Sequence, residues 1–423
     1  MLHCFQIFGA SPYVSMMKRI TLLLCFWGLL SISSAQETDA EEGGGEEEVV
    51  NLFTTPRTKL AAAMSDFGYN LFRQLAARDT KASVLLSPVS MSAAFTQLSM
   101  GASERAEKQL HRVLRYHNLH DIQLHDTLRD LLTSLRASTK GFSSVERILL
   151  ARKLRLKLEY LNAVEKQYGE RPQMLMGGPR DQKSVNDWFK QQTGGKVDRV
   201  LATPLPRSSE VVPAGVAYFK GKWKTRFSQV GKMDEFRLDG EAPARIAVMQ
   251  QSNYPVKMGI DSDLGCTIVQ VPMEDGVSMY FFLPDEVTQN FTLIEEALTA
   301  EFVQDLANTL HSVHLQLTLP VLKLSYSTDL LGLLSGLGLS EWLENTDLIK
   351  ISAQTPKLST VRHKIVMETA PEGSQYASTT PSGQSLSLSY RVDRPFLFLV
   401  RDEPSGTLLL IGKILNPRDL ASV

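Results

Sequence analysis

The chain has very little cysteine, no apolar run long enough to cross a bilayer, and no strong excess of charge of either sign. Three of its 423 residues are cysteine. Cys4 and Cys25 fall in an N-terminal segment that reads as a leader, so Cys266 stands alone after processing and no internal disulfide can form. A secreted chain without that staple must rest on its core, which 423 residues at 43% hydrophobic can supply. Cys266 lies in the strand-like run Gly-Cys-Thr-Ile-Val-Gln-Val at 265–271 and is expected to be a buried, inert thiol. The leader has Lys18-Arg19, then an apolar stretch at 20–30, then the small residues Ser33-Ser34-Ala35 before Gln36. At about eleven residues the stretch is too short for a membrane span. Residues 1–35 are therefore expected to be removed, with Met16 or Met17 equally serviceable as the start; the competing reading is an uncleaved anchor.

The formal net charge is -1, from 45 basic and 46 acidic residues. Its distribution is uneven. Residues 37–48 carry seven carboxylates, three glycines and no basic residue, the composition of a disordered acidic tail over 36–50. Setting those seven aside together with Lys18 and Arg19 leaves 43 basic against 39 acidic residues, a net of +4. So small an excess gives no reason to expect nucleic acid and leaves polyanion binding to local clusters.

Signatures of catalysis are missing as well. There is no Gly-x-Ser-x-Gly and no dinucleotide fingerprint, and Gly412-Lys413 is followed by Ile414 instead of the hydroxyl residue of a phosphate-binding loop. His117, His120 and His125 with Asp121 lack the spacing and the cysteine partner of a zinc site. No catalytic residue, cofactor or metal is expected.

What is present is a pattern of elements. A helix is expected from about Ser65, where Phe67, Leu71, Phe72 and Leu75 recur at helical spacing. Others are expected over 91–100, after a short apolar run broken at Pro88, and over 103–115, 184–192, 293–310 and 328–334. A strand is expected over 145–158, where Leu and Ile alternate with Arg and Lys. After residue 210 strands dominate, at 211–219, 245–249, 266–271, 277–283, 313–324, 390–392, 396–401 and 408–414. Helices first and a mixture later, with no repeat and no linker, point to an α+β fold with more than one sheet in a single domain over 51–423.

Near the C-terminus a Ser/Thr/Gly/Pro-rich stretch at 371–381 leads to two apolar runs joined at Pro404-Ser405-Gly406, which reads as a long exposed loop before a buried hairpin. Six segments stand out in order: Leu86-Ser-Pro-Val-Ser90, Asn186-Asp-Trp-Phe-Lys-Gln-Gln-Thr-Gly-Gly-Lys196, Tyr218-Phe-Lys-Gly-Lys-Trp223, Met279-Tyr-Phe-Phe-Leu-Pro284, Leu319-Pro320 with Lys323 and Tyr326, and the run from Arg394 to Gly412. Together, over about residues 60 to 418, they resemble the signatures of the serpin family. The resemblance implies three β-sheets, eight or nine helices and an exposed loop at about 374–390. In that family an inhibitor traps a serine protease by inserting its cleaved loop as a new central strand of a sheet.

The loop of this chain is ill suited to insertion. A central strand needs a backbone N–H at each ladder position and small side chains on its buried face. On the register of the family hinge, Ser374, Tyr376, Ser378 and Thr380 would alternate inward. Tyr376 then overpacks its site at a cost of about 1–3 kcal/mol, and Pro371 and Pro381 each lack a donor. A non-inhibitory serpin is expected; the alternatives are a protease inhibitor and a carrier or storage member.

Stretches outside the common signatures, among them Lys59-Leu-Ala-Ala-Ala63, Tyr168-Gly-Glu-Arg-Pro172, Val287-Thr-Gln-Asn-Phe291 and Ile411-Gly-Lys-Ile-Leu-Asn-Pro417, resemble one non-inhibitory member of the family. That likeness implies heparin-binding residues at Arg152, Lys153 and Arg155. Alternation along the expected strand independently sets Lys153, Arg155 and Lys157 on one face, ~6.5–7 Å apart, a spacing that suits the sulfates and carboxylates of heparin or heparan sulfate. Arg152 falls on the other face and would reach out only at a sheet edge. Arg105, Lys108, Arg112 and Arg115 form a helix stripe that would extend the patch, although a solvated face is the plainer reading. The likeness further implies collagen-binding carboxylates at Asp261, Asp263 and Asp305, where turn-forming and surface roles are the competing account. It implies hyaluronan contacts at Lys196 and Arg199, with Asp198 between them, and a glycosylated Asn290 in Asn290-Phe-Thr292. The expectation is a secreted monomer of the extracellular space and matrix, acting on cell-surface receptors through residues 52–127 as an antiangiogenic and neurotrophic factor.

Overall fold

Thr55 and Thr58 open the first helix, α1 (Pro56–Arg78), in a reciprocal cap in which each hydroxyl accepts the other's backbone N–H at 3.2 Å. Pro56 takes the first helical position, where no N–H is needed. The helix therefore starts nine residues before Ser65. The same logic corrects the expected break at Pro88. After the short strand β1 (Val84–Leu86), Pro88 is the first residue of α2 (Pro88–Ser99), and every residue of α2 is buried. A Cβ at Gly68 would strike the Pro88 ring, so α1 crosses α2 at a point that only glycine allows.

This computed structural model describes residues 54–119, 123–369, 371–377 and 388–421, all within one compact unit spanning Val49–Val423. The leader, the acidic tail, and His120, Asp121, Ser378, Thr380 and Pro381 lie outside the described residues. Further along the chain come α3 (Glu104–Val113), α4 (Leu124–Leu135), β2 (Phe142–Ala151), α5 (Leu158–Tyr168), β3 (Gln173–Leu175), α6 (Pro179–Gln192), β4 (Val211–Phe219), β5 (Trp223–Thr225), β6 (Gln229–Leu238) and β7 (Glu241–Asp261). Then follow β8 (Cys266–Pro272), β9 (Val277–Pro284), α7 (Thr292–Ala297), α8 (Ala300–Thr309), β10 (His311–Pro320), β11 (Lys323–Asp329) and α9 (Ser340–Glu344). The chain ends in β12 (Arg362–Glu368), β13 (Gly373–Gln375), β14 (Ser389–Arg391), β15 (Phe396–Asp402) and β16 (Thr407–Ile414). Among the described residues there are nine α-helices and three sheets, of nine, five and two strands.

The five-stranded sheet runs β11-β12-β4-β2-β3. Its central pair, β12 and β4, is parallel, and Arg362 opposite Ala214 through Met367 opposite Phe219 are all in register. The seam where a further strand would enter is closed. α2 packs on one side of this sheet, and α6 covers the other with Val185 and Phe189 against Val212, Ala214 and Val216. In the nine-stranded sheet the apolar β9, β15 and β16 are buried throughout, and Cys266 is fully buried in β8. Burial pushes the Cys266 thiol up to about 12, which keeps it protonated and unreactive.

Several expected elements are divided differently. The helix at 293–310 is two helices, because Leu298 and Thr299 are extended and the Thr299 hydroxyl caps α8 by accepting Phe302 N–H at 3.0 Å. The strand at 313–324 breaks after Pro320, and residues up to Asp329 that were expected to open a helix instead finish β11. The largest correction concerns 145–158. β2 stops at Ala151 because Arg152 N–H donates to Leu175 O at 2.9 Å and Leu154 N–H turns back to Ala151 O at 3.1 Å. Residues 152–157 are a loop leading into α5, and Leu158, expected on an apolar strand face, is 64% exposed.

Candidate functional site

The chain leaves the five-stranded sheet at Thr369, which is tied to the Leu322 backbone by two bonds: Thr369 N–H donates to Leu322 O at 2.9 Å, and the Thr369 hydroxyl accepts Leu322 N–H at 2.7 Å. The next described residues do not project freely. Gly373–Gln375 form the strand β13, laid parallel to β5 with Gly373 opposite Trp223 and Gln375 opposite Thr225. Trp223 N–H donates to Glu372 O at 3.2 Å, Arg226 N–H to Gln375 O at 2.9 Å and Phe227 N–H to Pro371 O at 3.1 Å. The Ser374 hydroxyl donates to the Glu274 carboxylate and reaches Lys224 O at 3.3 Å. Tyr376 is 79% exposed; the Arg226 guanidinium lies 4.6 Å from its ring centroid and donates to its hydroxyl at 2.8 Å. β5 holds this position because Trp223 and Thr225 alternate into the core while Lys222, Lys224 and Arg226 face solvent.

The four cations expected for glycosaminoglycan are all exposed, but they are displayed by a turn and not by a strand face. The regular spacing expected for Lys153, Arg155 and Lys157 therefore does not hold, and Arg152 stands exposed beside the sheet edge. Lys153 is tied to Glu210 at 2.7 Å, whereas Arg152, Arg155 and Lys157 have no carboxylate partner among the described residues. Partial burial works to raise the Glu210 carboxyl, but the hydrogen bonds from Lys153 and from Lys357 N–H outweigh it and hold the group below the usual carboxylate range. Lys357 is a cation the sequence did not offer. It is exposed, and it is brought beside Glu210 by the bond from Val211 N–H to Lys357 O. The segment 347–352 joins this loop to α3, since Lys157 N–H donates to Ile351 O at 2.9 Å and Lys350 pairs with Glu107 at 3.1 Å. On α3, Arg105 is paired with Glu341 at 2.9 Å and Lys108 with Glu104 at 2.7 Å, leaving Arg112 exposed without an ion pair among the described residues. The expected stripe does not extend to Arg115, because α3 ends at Val113 and Arg115 turns the chain in the left-handed conformation.

Asp261 ends β7, and its carboxylate accepts the N–H groups of Asp263 at 3.0 Å and Leu264 at 2.9 Å, fixing the turn into β8. Asp263 is exposed in that turn and Asp305 is exposed on α8. The pairing of His311 with Met258 brings the end of α8 alongside the strand that carries Asp261. Asn290 is exposed just before α7, with its side chain accepting Thr292 N–H at 3.1 Å. Lys196 lies with Nζ 4.9 Å from the Tyr218 ring, and Arg199 is exposed nearby in the chain. Of the histidines considered for metal, His125 is turned inward to Tyr168 at 2.7 Å, and no metal-holding cluster occurs among the described residues. No helix among them is long and apolar enough to cross a membrane.

The fold agrees with comparisons against known proteins. The family model described as Serpin (serine protease inhibitor) matches residues 62–417. The chain belongs to the serpin family. Membership places it among proteins that are not enzymes. Among relatives, the chain is 39% identical over 415 residues to pigment epithelium-derived factor of Bos taurus, covering 95% of this chain and 100% of that protein. It is likewise 39% identical over 420 residues to the Homo sapiens protein of the same name, again covering 95% and 100%. The fold is shared with the crystal structure of maspin, at a TM-score of 0.76 and 22% identity, over 86% of this chain and 100% of that one.

Proposed function

We propose that this serpin is secreted after loss of residues 1–35, carries residues 36–50 as an acidic tail on a single domain over 51–423, and does not inhibit proteases. It acts as an extracellular signalling factor, antiangiogenic and neurotrophic, held in the matrix by heparan sulfate and collagen. The observation that carries the non-inhibitory reading is the hinge. Tyr376 is too large for the buried face of an inserted strand, and Pro371 cannot donate to a ladder. Similarity to pigment epithelium-derived factor over the whole length of that protein supports the signalling role.

Glycosaminoglycan binding is assigned to Arg152, Lys153, Arg155 and Lys157, with Lys357 added by its place beside Glu210. Three of the first four lack a carboxylate partner among the described residues and so are free to meet sulfate. Collagen is assigned to Asp261, Asp263 and Asp305, hyaluronan to Lys196 and Arg199, and an N-linked glycan to Asn290. Because every residue of α2 is buried, a receptor must read other parts of 52–127.

The test is retention on immobilised heparin. Reversing both charges in Lys153→Glu with Arg155→Glu is expected to weaken affinity about tenfold, at roughly 0.2–1 kcal/mol for each lost exposed pair plus new repulsion, and to lower the salt needed for elution. Unchanged elution would remove the basic loop from the account.

A further inference from the structure

The hinge is not merely unsuited to insertion; it is also held elsewhere. We propose that residues 371–377 are fastened to β5 by a clasp that keeps the loop hinge out of the closed seam between β12 and β4, whether or not the loop has been cut. The inference rests on the non-inhibitory reading and adds a cause that acts before insertion, where the misfit of Tyr376 acts after it.

The clasp has three parts. The first is backbone: Trp223, Arg226 and Phe227 N–H groups all donate to carbonyls between Pro371 and Gln375. A strand that spends its carbonyls here cannot offer them to β4 or β12 at the same time. The second is a close approach that depends on glycine. A Cβ on Gly373 would come within 2.5 Å of Arg226 N and 2.7 Å of its Cα, so no larger residue permits β13 to lie this near β5. The third is a pair of side-chain ties at either end. Ser374 donates to Glu274, and Arg226 both covers the Tyr376 ring and donates to its hydroxyl. A side chain of this size at 376 thus serves two ends: it is wrong for the seam and right for Arg226.

The experiment uses the purified full chain and variants that change the clasp from both sides. Arg226→Ala leaves the loop sequence intact, and Gly373→Ala places a methyl group against the Arg226 backbone while remaining a good residue for an inserted strand. Backbone hydrogen exchange is measured over 222–228 and 371–377. Arg226→Ala is expected to speed exchange there by about two- to fivefold, the loss of one exposed cation–π contact, and Gly373→Ala by more than that, with limited proteolysis of the loop accelerated in step. Exchange at the wild-type rate in both variants would overturn the clasp. The same variants are then nicked by protease and melted. Faster exchange with unchanged melting supports both the clasp and the Tyr376 misfit. Faster exchange with a large rise in melting supports the clasp but refutes the misfit, so the two ideas fail separately.

Discussion

Asp402→Ala is expected to destabilise the protein by about 3–5 kcal/mol, the usual cost of stranding one member of a buried ion pair. Asp402 is wholly buried at the end of β15. Its carboxylate receives Lys140 Nζ, Ser405 N–H at 3.2 Å and the Ser405 hydroxyl, and the Ser405 oxygen in turn lies 2.6 Å from Thr407 Oγ1. This network closes the tight turn from β15 to β16 and ties it to the turn before β2, so one residue links two sheets. Removing the carboxylate leaves Lys140, whose side chain is 11% exposed, charged and without its partner. Urea unfolding should show a lower midpoint with an unchanged slope. Asp402→Asn keeps an acceptor for Ser405 and should lose less. An Asp402→Ala midpoint equal to that of the wild type would mean the network contributes nothing.

The second large effect is a loss of stability in mild acid, centred on His363. This residue sits in β12 opposite Gly215 of β4, at the seam itself. Its Nδ1 donates to Gly215 O at 2.9 Å, and its Nε2 accepts Ser87 N–H at 3.0 Å just before α2. The Ser87 contact requires the neutral ring, since a proton on Nε2 would face another N–H, whereas the Gly215 bond is kept by either form. Burial, partly offset by the Gly215 bond, lowers the ring from 6.5 to about 4. Because the folded value lies below the unfolded one, the unfolded chain takes up the proton first as pH falls. The contribution is fully present above about pH 6.5 and is lost progressively toward pH 4, about 3 kcal/mol in all at 1.36 kcal/mol per unit. His363→Gln should be less stable at pH 7 yet lack this part of the slope. Parallel stability curves for variant and wild type between pH 6.5 and 4 would show that His363 does not carry it.

Much of this molecule can be read from its sequence where a residue type is forced by its place. The apolar runs of β9, β15 and β16 are buried on both faces and need no partner to be recognised. The stretch 371–377 carries the Pro, Gly and Ser of a loop, yet Gly373–Gln375 pair with β5 as a strand. Elsewhere the determining contact is distant. The run Arg152-Lys-Leu-Arg-Leu-Lys157 contains no glycine, proline or asparagine, so nothing in it marks the turn that Leu175 and Ile351 impose. β12 alternates His363, Ile365 and Met367 inward, and a buried histidine hides the pattern. Lys357 joins the basic loop from 200 residues away, and the pairing of β5 with β13 involves two strands of three residues each, too short for any periodicity to show.

The central claim is that the loop, once cut, does not enter the sheet. The purified protein should be incubated with trypsin-like, chymotrypsin-like and elastase-like proteases, analysed on denaturing gels, and melted before and after cleavage. The account predicts a clean nick, no denaturant-stable complex and an unchanged melting temperature. A covalent complex with any of these proteases, or a large rise in melting temperature on cleavage, would show that the loop inserts and that this serpin is an inhibitor.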